Sequence, residues 1–260
     1  MRTRWALSGV VVGLLLSANG AVAKEGKFFS AQIHYLFSNI EAEGRTIEEF
    51  VGSRFDLEDT LGVDTHDGVP SVNLWFHILR RNSVLVSYFT SSYDGSTTLS
   101  KPLLYGNELY PPGAEVDSQF DFSLARLHYN FRFLNFKVVD IGVLVGVDLY
   151  QGEGRLTVAG LADEDNDFSA PFPVVGLNFT AKVPKIGLFI YTEATGTSLD
   201  IGDVDASALD AQFRVTWYIA DGPFGLTAGY RYLDLDLNVK DEGEGKITQE
   251  GFYGGMAIRF

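Results

Sequence analysis

Cysteine is absent from the 260 residues, which rules out disulfides and thiolate metal sites at once. Basic residues are scarce: 20 Lys and Arg stand against 34 Asp and Glu, a formal net charge of −14. No cluster of Lys and Arg exists to neutralise phosphates, which argues against a nucleic-acid partner. Histidine occurs only at His34, His66, His77 and His128, so base or metal chemistry has few places to reside. Long apolar runs are missing as well. Beyond the first two dozen residues, no stretch approaches the ~18 apolar residues that a membrane-spanning helix needs.

The N-terminus is the exception. Arg2 and Arg4 precede an apolar core from Trp5 through Leu16, and Ala21-Val22-Ala23 is a small-x-small site. That order predicts a secretory signal peptide over 1–23, removed after Ala23, with 24–260 as one exported domain. Its removal takes two Arg and no acid, so the exported part is more acidic still.

What the rest of the chain has in abundance is aromatic residues (13 %), glycine (28 residues) and strict alternation. Val139, Ile141, Val143, Val145 and Val147 alternate with Asp140, Gly142, Leu144, Gly146 and Asp148. Leu209, Phe213, Val215 and Trp217 interleave with Asp210, Gln212, Arg214 and Thr216. This is the period of strands with one apolar face. Ten strands are expected, near 28–38, 70–80, 82–98, 113–134, 136–158, 168–183, 184–200, 205–219, 223–240 and 246–260. The stretch 43–57 could add a strand and break the even count, but is placed in the first external loop, partly as strand extension; eight or twelve strands remain open, because strand boundaries read from one sequence shift by several residues. The segment Leu57–Gly62 reads as a short helical turn stopped by Gly62. Tight joins at 80–82, 134–135, 183–185 and 220–223 alternate with longer ones at 39–69, 99–112 and 159–167. Short turns at one end and long loops at the other are expected of an outer-membrane barrel, and a soluble sandwich has no reason to segregate them. The alternation slips at Leu124/Ala125 and at Tyr232/Leu233, which predicts either bulges or strands continuing above the bilayer.

On this register the inward side chains include His34, His77, Arg126, His128, Arg132, Asp140, Asp148, Asp210, Arg214 and Arg231, together with Gln32, Asn73, Asn130, Asn178, Lys182, Glu193 and Gln212. Both signs of charge are present. A lumen only about ten strands wide should therefore be filled by an Arg–carboxylate network and not hold a wide aqueous pore.

The chain ends Gly251-Phe-Tyr-Gly-Gly-Met-Ala-Ile-Arg-Phe260. With the alternation of Phe252, Met256, Ile258 and Phe260, and with Gly229-Tyr-Arg-Tyr232, it resembles the small bacterial outer-membrane β-barrels of the OmpA and OmpW type. The resemblance covers the whole exported length. It implies an all-β, single antiparallel transmembrane barrel in a Gram-negative outer membrane. It also implies periplasmic chaperones and the barrel assembly machinery as transient partners, the final aromatic serving as assembly signal, and outer-membrane lipid and lipopolysaccharide as surroundings. Tyr230, Tyr232, Phe131, Phe133 and Trp217 would belong to the interfacial girdles.

Catalytic signals are weak. Lipid A deacylases pair a Ser with a His near the C-terminus, but no His follows His128. Omptin proteases, also ten-stranded, use Asp pairs with a His at the outer end; Asp64, His66 and Asp67 in an expected external loop are the one hint of this kind. Asp163, Asp165 and Asp167 alternate as in oxygen-rich cation loops, without the Gly and distal Glu of an EF-hand. No cofactor is implied. The expected role is structural or surface interaction around a charge-packed lumen. The alternatives are a narrow cation-favouring channel and a surface hydrolase of omptin type.

Overall fold

The computed structural model describes residues 28–48, 51–105, 108–158, 164–240 and 243–260. The expected signal peptide, 1–23, lies outside them. Ten long strands form the wall: β1 (Phe29–Glu48), β3 (His66–Leu79), β4 (Asn82–Thr98), β7 (Glu115–Asn135), β8 (Val139–Val158), β9 (Glu164–Val183), β10 (Leu188–Ile201), β11 (Val204–Tyr218), β12 (Phe224–Val239) and β13 (Gly243–Arg259). Each pairs antiparallel with its neighbour, and β13 returns to β1 from Ser30↔Arg259 to Thr46↔Gly243. The sheet is a closed barrel. Closure gives every wall strand a paired neighbour on both sides, with β9 meeting β10 from Val175 to Val183, and along those paired lengths removes the edge at which an open sheet would pair with other chains.

The segment 43–57 is a strand extension, not an eleventh wall strand. β1 runs on to Glu48 and folds back as β2 (Val51–Asp56), with Glu43 opposite Asp56. The following turn is closed by the Leu61 N–H to the Asp56 carbonyl and by the Gly62 N–H to the Glu58 carbonyl. Gly62 ends it at φ +64°, a left-handed conformation that favours glycine. A small hairpin, β5 (Leu103–Tyr105) with β6 (Glu108–Tyr110), lies in the next loop.

The slip at Leu124/Ala125 is not a bulge. β7 pairs with β4 without interruption from Asn82↔Phe131 to Thr98↔Glu115, and β11 to β13 pair continuously through Tyr232 and Leu233. Register shifts occur elsewhere, at His77/Leu79 and Arg132/Leu134, beside the tight turns. The pleat therefore continues while the chemistry of its two faces exchanges. On β7, Arg126, His128 and Asn130 are buried, whereas Leu127, Tyr129, Phe131 and Phe133 are exposed on the outer wall. Above them, Val116, Ser118, Phe122 and Leu124 are buried, while Asp117 and Glu115 are exposed. On β12 the buried Arg231 is followed by buried Leu233 and Leu235, with Asp236 outside.

Strand length explains why two such zones fit on one wall. At ~3.3 Å per residue, the 21 residues of β7 reach roughly 65–70 Å. Tilted by about 40°, they stand roughly 50 Å tall, about twice the ~25 Å apolar band of an outer-membrane barrel. The terminal half carries an outer belt of apolar side chains, among them Ile33, Phe37, Val145, Leu177, Phe213, Leu226, Phe252 and Met256, all more than a third exposed. The loop half carries an acidic and hydroxylic outer surface around an apolar interior.

Candidate functional site: the filled lumen

The interior of the terminal half is an ionic layer built by side chains that reach across the bore. Arg126 on β7 extends to β10 and β11, with Nη1 3.0 Å from Glu193 Oε1 and 2.8 Å from Asp210 Oδ2, while its Nη2 donates to Ser87 Oγ at 3.3 Å. Arg231 on β12 takes the same Asp210 in a two-point grip, Nε to Oδ1 at 3.0 Å and Nη2 to Oδ2 at 2.7 Å. Two cations thus share one carboxylate, with Glu193 completing a chain. Glu193 also accepts from the Tyr191 hydroxyl and the Gln212 amide. His128 Nε2 lies 2.6 Å from Asp148 Oδ1, and both residues are fully buried. Nearer the tight turns, Asp140 receives Lys182 closely and Arg132 at 3.8 Å. Arg259, beside the terminal Phe260, pairs with Asp221 and lies 3.8 Å over the Tyr218 ring.

All ten residues expected to form the lumen network are placed inside the barrel. His34 stacks on Tyr253 at 4.4 Å between ring centroids, and His77 Nε2 is 3.5 Å from Ser30 Oγ. The three inward histidines do not converge. Among the described residues no group of three His, Asp or Glu is placed to hold a metal ion. Arg214 differs from the other arginines: its guanidinium lies 4.5 Å from the Trp75 ring and 4.4 Å from the Tyr191 ring, with no carboxylate within 4.0 Å among the described residues. The glycine of Gly229-Tyr-Arg-Tyr232 acquires a reason here. Gly229 is opposite both Arg214 and Tyr253. A Cβ on it would come within 2.3 Å of the Phe213 carbonyl oxygen and 2.5 Å of the Tyr253 ring, so only glycine lets that ring lean in.

Above the ionic layer the fill is aromatic and aliphatic, which the expectation of a charge-packed lumen did not include. Arg231 caps the boundary, 4.5 Å from the Phe89 ring. Phe89, Phe122, Tyr150 and Phe172 then form a chain of rings with centroids 5.8, 6.4 and 5.4 Å apart, walking across β4, β7, β8 and β9. Leu36, Leu124, Leu233 and Leu235 close around them, each no more than 2 % exposed. One polar trio sits in this layer: the Gln249 amide donates to Tyr93 Oη at 3.1 Å and to Ser38 Oγ at 3.3 Å. Leu57, Leu61, Val63, Leu99, Leu103 and Tyr110 from the loops continue the same cluster. The signal was present in the sequence, as the inverted alternation beyond Leu124 and Tyr232.

The weak catalytic and metal candidates fall only partly among the described residues. Asp64 is exposed, its N–H bonded to the Asp94 carbonyl at 3.1 Å. His66 and Asp67 are strand residues of β3, not loop residues, pairing in the backbone with Asn39 and Ser38; their side chains lie outside the described residues. Asp163 lies outside them too, as does the side chain of Asp165, a β9 residue. Asp167 is exposed on the outer wall opposite Glu153, which is itself opposite Asp121. These three acids border a shallow cleft of about 240 Å³ with Thr90, Ser123 and Ser169.

Neither a family model nor a curated protein matches the chain. Among solved structures it is similar to the outer membrane protease OmpT from Escherichia coli, at 9 % identity and a TM-score of 0.56, over 93 % of this chain and 99 % of that one. That likeness is one of fold: a ten-stranded antiparallel barrel of the same overall build. The attachment invasion locus protein Ail of Yersinia pestis aligns at 12 % identity over 89 % of this chain and 99 % of that one, with a TM-score of 0.38. The translocator domain of the autotransporter NalP from Neisseria meningitidis aligns at 12 % over 98 % and 95 %, with a TM-score of 0.45.

Proposed function

We propose that the chain is a Gram-negative outer-membrane barrel with a closed bore, serving as a structural or surface-interaction protein. The observation that carries this reading is the apolar fill of the loop half. The ring chain from Phe89 to Phe172 stacks over an ion-paired layer, and its members are at most 3 % exposed. A barrel of about this width has just enough interior for side chains, and here they occupy it twice over by different means. The outer apolar belt supports the membrane assignment, because a soluble protein rarely exposes a contiguous apolar patch beyond a few hundred Å². Phe252, Met256 and Phe260 project from the closing strand, consistent with the assembly signal expected there. Lipopolysaccharide and lipid would surround the belt. The acidic collar above it would meet whatever the cell surface encounters.

Single-channel recording of refolded 24–260 in a planar bilayer tests the reading. Folded protein should be electrically silent. Discrete, salt-dependent openings would overturn the closed bore and favour the narrow channel; a cation preference would then point to the acidic collar. The OmpT fold by itself does not extend proteolysis to this chain, since a likeness at 9 % identity is one of fold alone.

A further inference from the structure

We propose that Arg214 holds a small inorganic anion, of chloride size, inside the barrel, as the counter-ion that the chain itself does not supply. Arg214 is 4 % exposed, and its Nη1 has no hydrogen-bond partner. Its two stacking rings come from opposite walls. Trp75 lies on β3 and Tyr191 on β10, five strands apart around the ten-strand circuit, so the guanidinium sits well within the bore. The neighbouring carboxylates are already taken. Glu193 and Asp210 are bound by Arg126 and Arg231, and Asp148 is held by His128.

The balance of the ionic layer points the same way. Asp140 is taken by Lys182 and Arg132, Asp210 by Arg126 and Arg231, and Glu193 by Arg126, which leaves Arg214 as the cation of this layer without a carboxylate among the described residues. Burying an unpaired cation is costly, and stacking on two rings offsets only part of that cost. A water molecule would satisfy the Nη1 hydrogen but not the charge. Guanidinium hydrogens lie in the plane of the group, so rings over it leave its edge as the approach for a ligand. Such an edge between two rings suits a compact anion and not a bulky organic one.

Trp75 makes the site readable. Residues 24–260 contain two tryptophans, Trp75 against Arg214 and Trp217 on the outer wall. The experiment uses folded Trp217→Phe protein in detergent, with chloride replacing gluconate at constant ionic strength, and then bromide. A saturable change in Trp75 emission with both halides is expected, with gluconate inert and the response abolished in Arg214→Gln. The wild-type unfolding midpoint should also rise with the logarithm of chloride concentration, as linkage to a folded-state ligand requires, which keeps the test open if Arg214→Gln does not fold. An emission change that is linear in halide, or undiminished in folded Arg214→Gln, would overturn the proposal. So would a midpoint indifferent to the exchange of chloride for gluconate. None of these readouts depends on whether the barrel conducts or what its collar binds.

Discussion

Between the tight turns and Leu124, the strands turn polar side chains inward and apolar ones outward; beyond Leu124 the same strands, in the same unbroken pleat, do the reverse. The two halves consequently solve the burial problem in opposite ways. In the terminal half the outside must match an apolar surrounding, so the inside receives the charges, and each must find a partner across the bore. In the loop half the outside carries Asp117, Glu153, Asp167 and Asp236, and the inside is free to pack like the core of a water-soluble protein. Stability in the first half rests on satisfying charge. In the second it rests on removing apolar surface from water. The comparison teaches that one β-barrel can be a membrane protein at one end and a soluble β-protein at the other, with no change in backbone architecture.

The sharpest break of the ionic half is Asp210→Ala, which strips the carboxylate shared by Arg126 and Arg231 and leaves two buried cations under-paired. A loss of about 3–5 kcal/mol is expected, measured by urea unfolding of the refolded protein. A loss under about 1 kcal/mol would mean that water already solvates the layer. The matching break in the apolar half is Phe122→Ala, expected to cost about 3–4 kcal/mol by removing the ring between Phe89 and Tyr150. The two sites occupy separate layers, so the double variant should be additive within about 0.5 kcal/mol; strong coupling would show that the halves form one cooperative fill.

The outer faces can be compared in the same way. Leu127→Arg places a charge in the apolar belt and should destabilise the barrel in a bilayer by about 2–4 kcal/mol, whereas Gln119→Arg, eight residues along the same face of β7, should be close to neutral. Equal effects would remove the distinction between belt and collar. Smallest of all should be Arg155→Ala. Its pair with Glu153, at 3.4 Å, is about half-exposed on both sides, and loss of such a pair is worth less than about 0.5 kcal/mol and fades with salt.

Much of the molecule was legible in the residues. All ten wall strands are present, only β1 departing widely from its expected bounds by running on to Glu48, and the inward set from Gln32 to Arg231 is inside the barrel, because strand pleating allows only two faces and charge cannot face the apolar side. The slip at Leu124/Ala125 was legible as an event but open in meaning. Period-2 patterning cannot distinguish a one-residue bulge from an exchange of solvent, since either reverses which parity is apolar. Only the unbroken register across β4, β7 and β8 separates them. The placement of His66 and Asp67 in a loop is corrected for a related reason: the first loop is largely strand, so β3 begins at His66.

What the sequence by itself determined is therefore the repeating, local part: strand period, turn positions, the parity of the side chains below the slips and the closing terminal strand. These follow from backbone geometry acting over two to four residues. What only the tertiary structure decided is who meets whom across the bore. Arg126 reaches Glu193 and Asp210 over separations of 67 and 84 residues, and Arg214 is left between two rings without a carboxylate. Such partnerships depend on strand stagger, side-chain length and the width of the closed barrel together, and no local pattern along the chain carries that information.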